Sequence, residues 1–310
     1  MTVEDRYDDF ERRIKRSFLE FNRLVEAQLS QHIGRELIRY DQLQLDYRPL
    51  ARRFASDLVN IMILGSNLSA QEAAQQLDQP LTFNPAGAAA AATFQELNQR
   101  VIQLLTQQQT EALAEMRRIA QTIEPIRSMQ LVRQSLTLTA RQIRAVDNFR
   151  RLLEEGSSEA LDRVLRDRRF DPTIRRAIAG EVQLTTDQID RMVDRYRSRQ
   201  LDFRARTIAA TEAVRIANEA DNLFWRQAVQ DLQVEQDTLV REWVTSKDEK
   251  VRSSHRSLLG QQRGLEDTFI SGNGNSLRFP GDPRAPASDT INCRCWLKTE
   301  VRAQEQQQAA

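Results

Sequence analysis

The sequence predicts a mainly α protein: a long helical N-terminal arm and a helical middle region lead into a small α+β module near the C-terminal end. Three observations carry this. Ala, Leu, Gln, Arg and Glu are prominent, aromatic residues make up 6%, and Gly and Pro number 10 and 8 in 310 residues. That composition favours helix over sheet. Apolar residues recur at steps of three and four through the first two-thirds of the chain, the period of a helix face. At Leu239 the period changes to two, the mark of a half-buried strand.

Residues 1–130 form the arm. Phe10, Ile14, Phe18, Phe21, Val25 and Leu29 make one apolar stripe, which Gly34 interrupts before Leu37. Pro49 opens a second helix over 50–64, closed by Gly65. Ser69 with Glu72 reads as a capping box that starts a short third helix. Residues 79–87, with Pro80, Pro85 and Gly87, read as a loop. A long helix follows over 88–124, stopped by Pro125. Phe94, Leu97, Val101, Leu104, Met116, Ile119 and Ile123 share a side, but 106–110 is wholly polar. A broken stripe of this kind suits an exposed strut or a partner-binding helix.

Residues 131–203 form a helical linker region. Leu138-Thr139 with Gln142, and Leu184-Thr185 with Gln188, repeat one pattern: the Thr caps a helix and the Gln returns the hydrogen bond. Internal duplication and shared capping chemistry explain it equally. Between them Gly156-Ser157-Ser158 starts a helix to about Arg168, and Asp171-Pro172 another to Gly180. The module spans 204–298: a helix to about Gln230, a strand over 239–245, a turn-rich stretch over 260–274, and strands at 268–270, 277–279 and 291–297. A Gln- and Ala-rich tail over 299–310 is expected to be disordered.

Charge is balanced, 45 Lys+Arg against 44 Asp+Glu, which argues against a duplex-coating protein. Lys occurs only at 15, 247, 250 and 298; the many Arg are expected to pair with acids along helix faces. Within 163–176, however, Arg163, Arg166, Arg168, Arg169, Arg175 and Arg176 outnumber Asp162, Asp167 and Asp171. This stretch is a candidate contact for DNA, non-specifically, or for an acidic protein surface. Met1 to Arg16 is charged and lacks an apolar segment, so no signal peptide is expected. The apolar run over 58–64 contains Asn60 and falls far short of the ~20 residues that span a bilayer, so no membrane partner is expected. Two cysteines three positions apart or closer do not make a disulfide-stapled domain. Synthesis in a cytosol follows as the expectation.

The chemistry-bearing residues lie in the module. Cys293 and Cys295, two apart on an expected strand, point to one face. With His255 and Asp248 they offer the N, S and O ligands of a tetrahedral zinc site. The single-residue spacing is shorter than the usual two to four, so buried thiols packing as small hydrophobes, with His255 hydrogen-bonded across the module, are the competing and favoured reading. No cofactor is otherwise implied; a structural zinc stays open. Asp248, Arg252 and His255 also permit a nuclease reading, in which His moves a proton and Arg meets phosphate. Against it, the other histidine, His32, stands alone on a helix, and no acidic cluster marks a magnesium site. Trp243 and Trp296 read as core anchors, with Trp225 closing the underside.

The order of motifs is more informative than any one of them. A Thr211-Glu212 helix over 205–218 is followed by Trp243-Val244 with Asp248, then Arg252 and His255, then Phe279-Pro-Gly-Asp-Pro283, then Asn292-Cys-Arg-Cys295. This series resembles the phage Mu protein F-like head morphogenesis family, the minor head proteins of tailed phages. The resemblance implies a structural protein rather than an enzyme. It implies association with the portal inside the capsid, in several copies, near the portal vertex of the virion, after synthesis in the host cytoplasm. It also implies contacts with the portal protein, capsid or scaffold proteins and viral DNA, and a role in head morphogenesis and in DNA packaging or ejection. Within the module Thr211, Glu212, Arg252, Asn292 and Arg294 are expected to form a latch, with Glu212 pinning its helix to Arg252 or Arg294. One position departs from the family pattern: Ala210 stands where the family has Arg, and Arg206 lies one turn earlier. Two other classes stay in view: a nuclease or toxin-like effector built on His255, Cys293 and Cys295, and a generic helical adaptor.

Overall fold

The computed structural model describes residues 3–33, 46–120, 137–231 and 233–302, with the side chains of 29–33 and 120 excepted. The chain is mainly α, as the composition requires. Its helices are α1 (Val3–Ile33), α2 (Arg48–Leu77), α3 (Ala88–Ala120), α4 (Ala140–Glu154), α5 (Asp171–Ile178) and α6 (Thr186–Gln230), followed by the single turns α7 (Ser253–Arg256) and α8 (Ala287–Thr290). The strands are β1 (Leu239–Val244), β2 (Gln262–Arg263), β3 (Phe269–Ile270), β4 (Ser276–Leu277) and β5 (Trp296–Val301).

The chain forms two compact units. One comprises Met1–Ser17, Phe54–Gln99 and Arg206–Ala310; the other comprises Phe18–Arg53 and Arg100–Ala205. Each of α1, α2, α3 and α6 thus contributes one stretch to each unit.

In the second unit, α4 is built as its sequence dictates. Thr139 accepts from the backbone N–H of Gln142, and Gln142 returns the bond, a complete capping box. Ile143, Val146, Phe149, Leu152 and Leu153 form the buried face. Thr185 and Gln188 repeat the box at the start of α6, and the Phe149 and Tyr196 rings meet at 4.5 Å. The stretch after Gly156 departs from expectation. It forms short 3-10 turns at Ser158–Asp162 and Arg168–Phe170, not one helix. Only Ala160 of the first turn is buried and Val164 is 82% exposed, so no apolar face holds a longer helix there. α5 starts with Pro172 in its first turn and ends before Gly180, whose φ of +75° suits glycine, as expected.

In the first unit, α2 does not end at Gly65, and Ser69 does not start a new helix; both lie inside α2. The reason is packing. A Cβ at Gly65 would stand 2.9 Å from the Ala220 Cβ and 3.3 Å from the Phe10 ring, so glycine there admits a close helix crossing. The α6 stretch from Ala213 to Ala220 is buried on all sides, which marks it as the central helix of this unit. The sheet has order β2-β1-β5, with β1 antiparallel to both neighbours, and β3 and β4 form a separate antiparallel pair. In β1, Leu239, Arg241 and Trp243 are buried and alternate with half-buried neighbours, the period read from the sequence. β2 had no expected counterpart, and β5 begins at Trp296 and runs to Val301, three residues past the expected module boundary at 298. Gly34 and Pro125 lie outside the described residues, as do 303–310 of the expected tail.

Candidate metal centre

The module's core is built on Val214 of α6, Trp243 of β1, Leu258, Phe269, Leu277 and the two cysteines. Trp243 is fully buried and stands edge-on to His255 at 5.6 Å and to Phe269 at 5.2 Å. Trp225 is buried and Trp296 half-buried. Arg241, 1% exposed, sits beside this core with its guanidinium donating to the carbonyls of Gly264, Asp267 and Arg278 at 2.7–3.1 Å. It ties the β2–β3 turn and the stretch after β4 to the sheet. Burial lowers its pKa to about 10, still well above neutrality.

Helix α6 sets the position of the cysteine segment. The Thr211 hydroxyl accepts the Asn292 N–H at 3.0 Å. The Asn218 carboxamide accepts the Leu297 N–H at 3.0 Å and donates to the Tyr7 hydroxyl at 3.0 Å. Thr211 and Asn218, two helical turns apart, therefore hold both ends of 292–297. Cys293 and Cys295 are not on a strand: they occupy the irregular stretch before β5, entered through Asn292 at φ +54°. Both side chains nevertheless reach one place. The Cys293 Sγ lies 3.6 Å and the Cys295 Sγ 3.5 Å from His255 Nδ1. The three ligand atoms lie within 4.8 Å of one another, and the residues are 1%, 3% and 3% exposed. Both thiols are free. Cys293 is pushed toward the thiolate by its Cys295 neighbour and by His255, whereas Cys295 is pushed up by Cys293 and by burial.

On the far side of the ring, His255 Nε2 faces Asp289 Oδ1 at 3.6 Å. Asp289, on α8, is fully buried. Its carboxylate accepts from Ser254 Oγ at 3.0 Å, Ser271 Oγ at 3.3 Å and Asn275 Nδ2 at 2.7 Å. Burial alone would raise this carboxyl; the Asn275 and Ser254 hydrogen bonds and the His255 ring outweigh it and hold it below its ordinary value. Sequence reasoning missed Asp289 and Asn218. The seven-residue spacing of Asn218 from Thr211 was a usable signal, since it places both on one helix face; nothing local marked Asp289.

The remaining expected residues fall elsewhere. Asp248 is at the surface, with both oxygens on Arg294 at 2.5–2.6 Å, and stands outside the His255, Cys293 and Cys295 group. Arg252 donates to the carbonyls of Ser288 and Ile291, which anchors α8. Glu212 does not reach Arg252 or Arg294. It pairs with Arg215 on its own helix at 2.6 Å, and Arg215 carries the latch onward to the Gly281 carbonyl at 3.0 Å. An acid three positions before an arginine on a helix finds it first, because both already lie on one face. Ala210 is half-buried and Arg206 exposed. In the arginine stretch, Arg163, Arg166, Arg169 and Arg176 pair with Glu159, Asp171, Asp167 and Glu181. Arg168 and Arg175 are exposed and form no ion pair among the described residues.

Helix, latch and small sheet together define a module held by buried polar contacts between α6, the cysteine segment, α7 and α8. Residues 172–298 match the family model for Phage Mu protein F like protein. This stretch is similar to that family, which supports a phage head-related protein. Neither a curated protein nor a solved structure matches the chain. Among the described residues no helix is long and apolar enough to cross a membrane.

Proposed function

We propose that the protein is a minor head component bound to the portal vertex inside the capsid, acting in head morphogenesis and in DNA packaging or ejection. The observation that carries the reading is the family match over 172–298, which coincides with the ordered motifs. The burial of the histidine and cysteines supports a structural role, since a proton-transfer group at 1% exposure has no face to offer a nucleic acid. The portal ring is the proposed partner, met by the helical part of the chain. DNA contact is a lesser element of the proposal and rests on Arg168 and Arg175, because the other arginines of that stretch are already paired.

Cross-linking mass spectrometry on intact heads tests the reading. The expected result is the chain within the particle, cross-linked to the portal. A chain absent from heads, or cross-linked only to the major capsid protein, overturns the portal assignment; a purified chain that cuts DNA, and loses this on His255→Ala, favours the effector reading. For duplex DNA, two free arginines set a log–log salt slope of about −2. An affinity insensitive to salt removes DNA from the partners.

A further inference from the structure

We propose that the protein binds one zinc ion through His255 Nδ1, Cys293 Sγ and Cys295 Sγ, with Asp289 as the carboxylate that orients the histidine. Tetrahedral zinc takes nitrogen at about 2.0–2.1 Å and thiolate sulfur at about 2.3 Å, which puts the two about 3.5 Å apart. The observed separations are 3.6 and 3.5 Å. Both nitrogen–sulfur separations therefore match those of a zinc tetrahedron, and the three atoms lie within 4.8 Å of one another.

Hydrogen bonding does not account for the arrangement. An imidazole nitrogen in the plane of its ring has one lone pair or one N–H, and so makes one good hydrogen bond. Here two sulfurs approach the same nitrogen at nearly equal distance. A metal on that lone pair satisfies both. The ring's other nitrogen agrees: Nε2, buried and without a hydrogen-bond partner, faces the Asp289 carboxylate at 3.6 Å. A carboxylate behind a histidine places the proton on the nitrogen facing it and leaves the opposite nitrogen free to ligate, the usual second layer of a zinc site. Asp289 is itself fixed by three donors.

The one-residue cysteine spacing is accommodated by the backbone. Asn292 at φ +54° turns the chain, and the Cys295 N–H then points to the Cys293 Sγ at 3.5 Å, a contact that stabilises a thiolate. Two soft sulfurs and an imidazole select zinc over hard cations. The protein supplies three ligands among the described residues. Since no ligand residue is more than 3% exposed, the ion is structural: it ties α7 to the segment 38–40 residues later. A module with so small a sheet gains folding energy directly from such a tie.

The test is the metal content of the full chain, purified without chelators and measured by plasma mass spectrometry. One zinc per chain is expected, lost in Cys293→Ser and Cys295→Ser. Asp289→Asn is expected to keep the ion with affinity lowered about 10–100-fold against a competing chelator. If the cysteine variants do not fold, cobalt substitution of the wild type decides, since thiolate ligation gives an intense sulfur-to-cobalt charge-transfer band. A metal-free wild type whose thermal midpoint and thiol reactivity ignore added zinc overturns the proposal; so does zinc retained by both folded cysteine variants, or cobalt bound without the charge-transfer band. None of these readouts depends on the portal assignment.

Discussion

The Thr211 hydroxyl on α6 accepts the backbone N–H of Asn292, 81 residues further along the chain, at 3.0 Å. Thr211 is 6% exposed, so the bond is shielded from water, and it holds the turn that delivers Cys293 and Cys295. Thr211→Val keeps the shape and removes the acceptor. It is expected to cost about 1–2 kcal/mol, read as a lower urea midpoint at unchanged slope, while Thr211→Ser stays near wild type. At Asn292, with φ +54°, Gly is expected to be tolerated and Val to cost about 1–2 kcal/mol.

Arg241 is the larger dependence. Its removal leaves the part-buried carbonyls of Gly264, Asp267 and Arg278 without their donor. Arg241→Met should destabilise by more than about 3 kcal/mol. Arg241→Lys should recover only part, because an ammonium lacks the planar fork that reaches three acceptors. Equal stability of Arg241→Met and wild type in urea unfolding would contradict the assignment.

Gly65 carries an opposite expectation from the usual helix rule. Alanine for glycine in an exposed helix stabilises by about 1 kcal/mol. Here the new methyl meets Ala220 at 2.9 Å, so Gly65→Ala should destabilise by about 1–3 kcal/mol. The double change Gly65→Ala with Ala220→Gly should restore most of the loss in thermal unfolding. Failure of the second change to compensate would show that this contact does not set the packing.

Asp167 predicts a pH dependence. The Arg169 guanidinium, bonded to both carboxylate oxygens, lowers its pKa from 3.8 to about 2, with Arg199 adding to the effect. A folded-state pKa below the unfolded one means the unfolded chain binds the proton more readily. The contribution is therefore complete above about pH 4 and disappears as pH falls toward 2. Urea midpoints measured from pH 5 to pH 2 should fall more steeply in wild type than in Asp167→Asn. Parallel profiles would remove Asp167 as a source of acid sensitivity.

The elements that were legible share one property. The capping boxes at Thr139 with Gln142 and Thr185 with Gln188, the α1 stripe from Phe10 to Val25, the stop at Gly180 and the alternation of β1 all rest on residues within a few positions of each other. The misread elements are those where distant contacts prevail. Gly65 looked like a helix end because glycine usually is one; its role is set by Ala220 and Phe10. Glu212 looked like a bridge to Arg252 or Arg294, but Arg215, one turn away, claims it at lower entropic cost. The stretch after Gly156 has helical composition but no continuous apolar face, and so stays as short turns.

Local periodicity and motif order were enough for the helical class, the small C-terminal sheet and the family resemblance, since these depend on backbone preference and on which residue types follow one another. The geometry at His255 was not written in that way. Two sulfurs 38 and 40 residues away converge on one ring nitrogen, and Asp289 stands behind it, while Asp248, equally suitable by type, is drawn off to Arg294. Which carboxylate reaches the histidine depends on where the chain returns after α7, and that is set by long-range packing around Trp243 and by the hold of α6 on the cysteine segment.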